Sequence, residues 1–378
     1  MTSLANAAVP ELTLGDKIWR IRWGMVLLLI MIAGVGTLAL YSAGGMKPEP
    51  WAAKHAIRFS VALLLALLVA LVDIRVWMRM AYPFYIVSVL MLVAVDVMGK
   101  GAMGAQRWLD FKVIQIQPSE LMKIALVMAL ARYYHHLSRE QVERILYAVP
   151  PVLAMLVPVA LVMVQPDLGT AMVLLLAGTT VMFAAGVKLW KFLLAGLLAI
   201  GSLPVAWSMM RDYQRGRVLT FLDPDRDPLG AGYHITQSKI AIGSGGLQGK
   251  GFGEGTQSAL NFLPEKHTDF IFTMWTEETG LLGGVILLTL FALLLAYGFV
   301  IARSSRNHFG RVLAMGVTIN IFLYVFINIA MVMGLIPVVG VPLPLVSYGG
   351  TAMLTVLFAC GLLLGVSIHR DLVIPRNS

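Results

Sequence analysis

Long apolar runs, separated by shorter polar stretches, follow one another along nearly the whole chain. Each run is about 17 to 25 residues long, which as a helix is enough to cross a hydrocarbon core of about 30 Å. The pattern predicts an all-α polytopic membrane protein with about ten transmembrane helices. The predicted spans are 24–43, 56–72, 80–98, 118–133, 147–164, 168–187, 190–207, 270–302, 312–336 and 349–368.

One polar stretch, 208–269, is far longer than any other connection and lies just before the eighth span. No linker separates a soluble domain from the rest. We therefore expect one membrane domain over 1–378, with 208–269 as a large loop within it.

The composition agrees with a membrane protein and limits the kinds of partner that the chain can bind. Hydrophobic residues make up 58% of the chain and charged residues only 13%, against about 25% charged in soluble domains. In a membrane protein the net charge of +9 bears on which loops face the cytoplasm and on attraction to anionic lipid headgroups. No stretch has the clustered basic and aromatic pattern of a nucleic-acid binder. Cys360 is the one cysteine, so an intrachain disulfide and a cysteine-based metal site are excluded.

Lys and Arg are distributed unequally between the alternating connections. If both ends of the chain lie on one side, that side holds 15 of them, and the short loops opposite hold six. The 208–269 loop holds seven more, but loops of this length follow the positive-inside rule poorly. Because cytoplasmic loops are enriched in Lys and Arg, we expect both termini in the cytoplasm and 208–269 outside.

Two ionisable residues lie inside the fourth span, in the sequence QPSELMK at 117–123. Pro118 suits a first helical turn, where its missing N–H would have no partner anyway. Glu120 and Lys123 are three residues apart, so they share a helix face and can pair. Charged groups at this depth usually face a partner or a cavity. The pair therefore either fixes helix packing or forms a polar wall of a substrate cavity, and the two roles are compatible.

Other polar segments fall at the predicted outer surface. Arg107 and Trp108 are suited to contact a phosphate and a sugar face, or to anchor the chain at the interface. Asp167, between the fifth and sixth spans, is suited to cap the helix that follows. Residues 341–351 combine two prolines and two glycines with apolar neighbours. This composition predicts a non-helical segment at membrane depth, which must be buried in protein or line a wet cavity, and so is a candidate cavity rim.

The long outer loop holds most of the candidate anion-binding groups. Its glycine-rich run at 243–253 fails both the Walker and the dinucleotide patterns. Backbone N–H groups of the run, with Lys250, could instead hold an anion such as pyrophosphate; plain loop flexibility is the alternative. The carboxylates at 223–227 lack the glycine and terminal glutamate of an EF-hand, so no metal site is predicted. Further basic candidates are Arg211, Arg215, Arg217 and Lys239.

Asp269 opens the eighth span where the polar loop meets the membrane, with Lys266 and His267 just before it. One interpretation is that Thr268 or Asp269 caps the helix. The other is a general base, because a carboxylate within about 3 Å of a sugar hydroxyl can take its proton during attack. Glu277 lies further along the same span, and intramembrane carboxylates are functional candidates by default.

Six motifs, in this order and at these spacings, resemble the SEDS family of bacterial cell-wall membrane proteins. The resemblance covers nearly the whole chain from the first span to Arg370, and it favours the cell-elongation branch over the cell-division branch. The motifs are GAQRWLD at 104–110, QPSELMK at 117–123, QPDLGTA at 165–171, GSGGLQGKGFGEGTQ at 243–257, FLPEKHTDFIF at 262–272 and PLPLVSYGG at 342–350.

The resemblance implies a peptidoglycan glycosyltransferase of the bacterial inner membrane that acts in elongation and rod-shape maintenance. Such enzymes join lipid II disaccharides at the outer face and release undecaprenyl pyrophosphate. By the same resemblance, Asp269 matches the family's essential outer-loop aspartate, and Glu120 and Lys123 match a polar pair in the membrane cavity. The implied partner is a class B penicillin-binding protein, a transpeptidase, beside other elongation-complex membrane proteins. No cofactor is implied, although a divalent cation could share the charge of the pyrophosphate.

Two functions from other classes compete with the enzyme. A lipid II flippase would use polar groups and broken helices within the membrane, but it needs a polar path from the cytoplasmic face. Here the inner loops are short and the candidate chemistry lies outside, which favours the enzyme. A non-catalytic docking subunit for the transpeptidase would tolerate loss of the charge at Asp269.

Overall fold

The helices of the chain follow the predicted spans closely. The computed structural model describes residues 12–98, 100–102, 105–110, 115–210, 212–223, 231–256 and 266–376. Within these residues each predicted span corresponds to one helix. Those helices are α2 (Trp23–Ala43), α3 (Ala52–Leu71), α4 (Ile74–Met98), α5 (Pro118–His136), α7 (Val149–Val164), α8 (Leu168–Ala184), α9 (Leu189–Met209), α12 (Ile271–Ser304), α13 (His308–Val332) and α14 (Gly350–Ile368).

Shorter elements complete the described chain. The described residues of the 208–269 loop form two helices, and a three-stranded antiparallel sheet with the order β1-β2-β3 precedes α5. In the sheet Lys100 is opposite Trp108, and Leu109 is opposite Ile116. The short elements are α1 (Leu14–Arg20), β1 (Lys100–Ala102), β2 (Ala105–Asp110), β3 (Gln115–Ile116), α6 (Arg139–Glu143), a 3-10 turn (Leu146–Ala148), α10 (Asp212–Leu222) and α11 (Ala231–Ser244).

Seven of the described helices are long and apolar enough to cross a membrane: α2, α3, α4, the turn and helix over 146–164, α12, α13 and α14. The helices α8 and α9 are apolar but shorter over their described residues. Helix α5 is not among the seven and carries Glu120, Lys123 and Arg132. The multi-pass architecture is thus confirmed, whereas the number of ten spans stays a prediction.

Helix α5 lies at the centre of the bundle. It packs against α4, α7, α8, α13 and α14, and all but a few of its side chains are buried. Gln117 precedes the helix and Pro118 is its first residue, as the sequence predicts. A central position surrounds the charged residues of α5 with protein instead of lipid, which is how ionisable groups are tolerated at membrane depth.

Small residues allow the closest helix contacts. A Cβ atom at Gly361 of α14 would lie 2.6 Å from the carbonyl oxygen of Ala66 in α3. A Cβ atom at Gly36 of α2 would lie 2.6 Å from Cα of Val346, in the segment before α14. Close backbone approach through small residues is typical of membrane helix interfaces, where packing provides much of the association energy.

Helix α12 is broken near its start, which the apolar pattern over 270–302 does not indicate. Gly280 has φ 68° and ψ −166°, which separates a short helix before it from the long helix after it. The glycine-rich loop after α11 fits into this break. The N–H groups of Lys250 and Gly251 donate to the carbonyls of Glu277 and Glu278, each at 3.1 Å. Backbone packed directly on backbone explains why so many glycines occur here.

We expect Gly249→Ala to destabilise the protein by roughly 2 kcal/mol or more, because two costs combine. Gly249 has φ +82°, and an added Cβ would overlap the carbonyl of Glu278. Gly246→Ala is the matched control, because Gly246 has φ +55° but no atom within 4 Å of an added Cβ. Thermal unfolding in detergent should show the larger loss for Gly249→Ala. Equal losses would mean that backbone strain alone matters and that the loop is not seated on the break.

The connections between helices form two groups, one at each end of the bundle, and the members of each group contact one another. At one end Arg20 pairs with Asp371 at 3.2 Å, and Arg306 N–H donates to the carbonyl of Arg370 at 2.9 Å. At the other end the connections before α3, α5, α8, α12 and α14 meet. The two described ends of the chain therefore lie at the same face, and the candidate site residues described next lie at or near the other.

Candidate active site

Asp269 lies in a short turn immediately before α12 and is half-buried. Phe270, not Asp269 or Thr268, is the N-cap residue of α12, so the structure does not support the interpretation of Asp269 as the helix cap. The Asp269 carboxylate lies beside Gly340, where an added Cβ would be 3.5 Å from its Oδ2 atom. Gly340 has φ +70°, a conformation that favours glycine. Its missing side chain leaves room beside the carboxylate.

Three hydrogen bonds, accepted by consecutive backbone carbonyls, hold this turn in place. Asn328 Nδ2 donates to the Asp269 carbonyl at 3.0 Å, and Tyr348 N–H donates to that of His267 at 2.8 Å. Ser347 Oγ donates to the Thr268 carbonyl at 2.6 Å. The segment predicted to be a non-helical rim at 341–351 is non-helical up to Gly349, the N-cap of α14, and the helix begins at Gly350. The segment packs directly against the turn that holds Asp269.

Aromatic rings and an arginine form a layer beside Asp269. The His267 ring stacks on Trp51 with centroids 4.6 Å apart and planes 9° apart. Its other neighbour is Tyr348, 6.1 Å away, and the Arg58 guanidinium lies 4.9 Å from the Tyr348 ring centroid. Trp51 and Arg58 are not among the residues selected from the sequence. An arginine inside the predicted span 56–72 was an available signal, because such residues are usually functional.

The predicted ion pair in α5 is confirmed. Lys123 Nζ lies 2.7 Å from Glu120 Oε1, and the two residues are only 1% and 4% exposed. Tyr324 of α13 completes the cluster, because its hydroxyl accepts from Lys123 and donates to the other Glu120 oxygen. Thr355 of α14 contacts that same oxygen at 3.5 Å. The sequence offered no signal for Tyr324 or Thr355, since each lies in an apolar run of another helix.

The space around this cluster is small. The cavity next to Glu120, Tyr324 and Thr355 has a volume of about 10 Å³, which is about the minimum for one water molecule. A second cavity of about 10 Å³ lies between Tyr324 and the segment 342–349. In this conformation the cluster is therefore a self-satisfied ion pair between three helices, located beneath the rim that holds Asp269.

The glycine-rich loop forms a second cluster of charged side chains, at the same end of the bundle as Asp269. Lys250 Nζ lies 2.7 Å from both Glu277 Oε1 and Thr256 Oγ1, and Glu277 is fully buried. Ser42 of α2 donates to the neighbouring carboxylate of Glu278. Both carboxylates belong to the short helix before Gly280. Lys250 therefore neutralises a buried carboxylate here, and its contact with a substrate anion stays a prediction.

Lys266 connects this charged group to the turn of Asp269. Burial lowers the pKa of its ammonium group, while the Glu278 carboxylate opposes that shift. The two neighbouring residues Lys266 and His267 thus face different partners: Glu278 influences Lys266 electrostatically, whereas His267 stacks on Trp51. The predicted residues Lys266, His267, Asp269 and Glu277 all lie in one short stretch of chain.

Arg107 and Asp167 meet at the end of the bundle where β2 approaches the α7–α8 connection. The Arg107 guanidinium donates to the Pro166 carbonyl at 2.6 Å and lies 3.8 Å from Asp167 Oδ2. Asp167 caps α8, as the sequence predicts, by accepting from the Thr170 N–H at 3.2 Å. Trp108 is half-buried on β2. Arg107 thus joins two connections, and contact of Arg107 or Trp108 with substrate stays a prediction.

The remaining basic candidates are spread more widely. Arg215 donates to the carbonyls of Trp207 and Ser208 at the end of α9, at 3.0 and 2.8 Å. Lys239 of α11 is exposed, and its Nζ would lie 2.8 Å from a Cβ at Gly334, just after α13. Arg211 and the side chain of Arg217 lie outside the described residues. Among the described residues no group of three His, Cys, Asp or Glu side chains is arranged to hold a metal ion.

Comparison with known proteins shows one family over nearly the whole chain. A model of the FtsW/RodA/SpoVE family of cell cycle proteins matches residues 19–372. The peptidoglycan glycosyltransferase MrdB of Escherichia coli K12 is 44% identical over 352 residues, which cover 92% of this chain and 94% of that protein. A probable peptidoglycan glycosyltransferase FtsW of Trichlorobacter lovleyi is 36% identical over 358 residues, with 91% and 93% covered.

Solved structures agree with the fold. The rod shape determining protein RodA of Thermus thermophilus matches with a TM-score of 0.70 at 31% identity, covering 93% of this chain and 97% of that one. A chain from a peptidoglycan synthase complex that coordinates polymerization and crosslinking matches with a TM-score of 0.79 at 34% identity, covering 93% and 98%. Motifs, helix order and overall structure therefore agree that the chain belongs to the FtsW/RodA/SpoVE, or SEDS, family of membrane proteins.

Proposed function

We propose that this chain is a peptidoglycan glycosyltransferase that polymerises lipid II in cell elongation and rod-shape maintenance. The names of its relatives support the reaction class, since both the MrdB and the FtsW proteins are called peptidoglycan glycosyltransferases. Greater identity to MrdB, 44% against 36%, favours the elongation branch. The single observation that supports the site most strongly is the rigid, half-buried placement of Asp269 at one end of the bundle.

In this proposal Asp269 is the general base. Its carboxylate takes the proton from the 4-hydroxyl of the acceptor GlcNAc as that oxygen attacks C1 of the donor MurNAc. The new O4–C1 bond forms as the bond between C1 and the pyrophosphate oxygen breaks, and undecaprenyl pyrophosphate leaves with the electron pair. A base must stay within hydrogen-bond reach of its proton, and three fixed carbonyls at 267–269 restrict the backbone that positions this carboxylate.

The departing pyrophosphate needs positive charge close to the base. Arg58, Lys239 and Lys250 lie on elements that meet around the Asp269 turn or the start of α12, and Arg107 lies at the same end of the bundle. Arginine is well suited to a diphosphate because its planar fork binds two oxygens at once. A divalent cation held by the pyrophosphate itself would share this charge without a dedicated ligand cluster in the protein.

The location and partner follow from the same proposal. The chain is one multi-pass domain of the inner membrane, with both termini in the cytoplasm and 208–269 in the periplasm, in line with the positive-inside rule. Its partner is a class B penicillin-binding protein, which crosslinks the strands that this chain polymerises. The similar chain from a peptidoglycan synthase complex supports such a pairing.

Labelled lipid II separates this proposal from its competitors. The purified chain, with its transpeptidase partner, should convert lipid II in vesicles into long glycan strands. Movement of lipid II between leaflets without polymer would instead indicate a flippase. Partner binding with neither polymer nor movement, while a control polymerase works in the same vesicles, would indicate a docking subunit.

We expect Asn328→Ala to lower the polymerisation rate by about 100-fold, the scale of a 1 Å misplacement of a catalytic group. Asn328 holds both the Asp269 and the Val341 carbonyls, at 3.0 and 2.7 Å. Asn320→Ala is the matched control, because it removes another buried amide from α13 without touching the Asp269 turn. The initial rate with saturating lipid II is the measurement. Similar rates for the two variants would remove Asn328 from the positioning of the base.

A further inference from the structure

A large polar cavity lies at the face of the bundle that carries the two described ends of the chain, away from the candidate active site. Its volume is about 530 Å³. The walls come from the end of α5, from α6, from the α8–α9 connection, from the α12–α13 connection and from the last described residues. Four arginines line it: Arg139, Arg306, Arg311 and Arg376.

Within the described residues, no carboxylate forms an ion pair with the arginines of this cavity. Glu143 is the one carboxylate among the described lining residues, and it pairs with Lys188 at 2.8 Å. The Arg311 guanidinium donates to the Ser305 carbonyl at 3.2 Å. Within the described part of the chain, the guanidinium groups of Arg139, Arg306 and Arg376 make neither a hydrogen bond nor an ion pair. The cavity therefore presents several unused, charge-assisted donors in one space.

A buried histidine adds a second, independent observation. His135 is 1% exposed and lines the cavity. Its Nε2 atom lies 3.1 Å from the Pro375 carbonyl, and its Nδ1 atom has no hydrogen-bond partner among the described residues. Buried polar atoms are normally satisfied, so each exception calls for a missing partner. Because Nε2 donates to a carbonyl in the neutral ring, Nδ1 is then an acceptor, and a ligand hydroxyl or a water held by a ligand would satisfy it.

An apolar groove begins directly beside this cavity. It has a volume of about 710 Å³ and is lined by side chains of α7, α8 and α9. The border between the two spaces is narrow. Gly186 lines the polar cavity and the next residue, Val187, lines the groove, while Lys191 of the groove donates to the carbonyl of Val142 in the cavity wall at 3.2 Å. A polar space with an adjoining apolar one suits an amphiphile with an anionic head.

From this arrangement we propose that the cavity is a binding site for a phosphate-bearing anion at the face opposite the active site. The planar guanidinium group of arginine can donate two parallel hydrogen bonds to two oxygens of one phosphate. The adjoining groove favours a phospholipid, with its phosphate among the arginines and an acyl chain against α7 and α9. A soluble phosphate compound is the other source of the same chemistry. The competing explanation is an ordinary excess of positive charge at a cytoplasmic surface, which requires no site.

The test uses the full chain and two matched double variants. Arg139→Gln with Arg306→Gln removes two cavity charges whose guanidinium groups make no hydrogen bond or ion pair with the described residues, so we expect the variant to fold. Arg75→Gln with Arg303→Gln removes two exposed charges from the same face, outside the cavity lining. One arm measures binding of phosphatidylglycerol against phosphatidylcholine by native mass spectrometry. The other measures thermal stabilisation by inorganic phosphate against chloride at equal ionic strength.

We expect wild type to prefer phosphatidylglycerol. The cavity variant should bind it about 25-fold more weakly, because each of the two arginines contributes roughly fivefold to binding of an anionic lipid. The Arg75 and Arg303 variant should keep wild-type binding. Stabilisation by inorganic phosphate that is lost in the cavity variant alone would support the same site with a soluble ligand. No preference in either arm, or equal losses in the two double variants, would overturn the proposal.

Discussion

Replacing Lys123 by Met should destabilise the protein by roughly 3–5 kcal/mol, because a buried carboxylate then loses its partner. Glu120 and Lys123 are almost fully buried, and the ammonium also donates to Tyr324. The variant leaves Glu120 charged within a bundle of three helices, or forces it to take up a proton. Unfolding of the purified protein in detergent measures the loss.

A double variant distinguishes the lost pairing from lost packing. Glu120→Gln with Lys123→Met removes both charges and keeps an acceptor for the Tyr324 hydroxyl, so it should be clearly more stable than Lys123→Met alone. Lys54→Met, at an exposed position of α3, controls for the change in side-chain type and should stay within about 0.5 kcal/mol of wild type. A loss below about 1 kcal/mol for Lys123→Met would show that the ion pair is not what holds α5, α13 and α14 together.

Replacing Asp269 by Asn should lower the polymerisation rate by about 10²–10⁴-fold, the usual contribution of a positioned general base. The amide has nearly the same shape as the carboxylate but cannot take the proton from the acceptor hydroxyl. Since the backbone of this turn is held through the carbonyls of His267, Thr268 and Asp269, the fold should survive the change. Initial rates with labelled lipid II provide the measurement.

Two variants sharpen that result. Asp269→Glu keeps the carboxylate but moves it by about one bond, so its activity should fall between those of wild type and Asp269→Asn. Asp223→Asn makes the same chemical change at an exposed position in the same long loop and should leave the rate unchanged. If Asp269→Glu and Asp269→Asn were equally active, the residue would have a structural role in place of a catalytic one.

The parts of the structure that depend on nearby residues could be predicted from the sequence. Helix positions follow from long apolar runs, the Glu120–Lys123 pair follows from its spacing, and the cap at Asp167 follows from its place before α8. The non-helical segment before α14 follows from its prolines and glycines. Each of these depends on a few neighbouring residues, whose physical preferences can be inferred without a fold.

Contacts between distant residues could not be predicted in this way. Tyr324 and Glu120 are 204 residues apart, and Ser42 and Glu278 are 236 apart. The pairing of Lys250 with Glu277 joins two different segments of the chain, so the sequence could not show it, and contact of Lys250 with a substrate anion stays a prediction. The break at Gly280 lies within the predicted span 270–302, and the glycine-rich loop that packs against it lies outside that span.

The central claim is that this chain polymerises lipid II with Asp269 as the base. Its most direct test measures glycan formed by wild type and by Asp269→Asn, each bound to the same transpeptidase partner at equal concentration. The account predicts long glycan from wild type and essentially none from the folded, partner-bound variant. Equal polymer from both would contradict it and would assign the proton transfer to another carboxylate, with Glu277, Glu278 and Glu120 as the candidates.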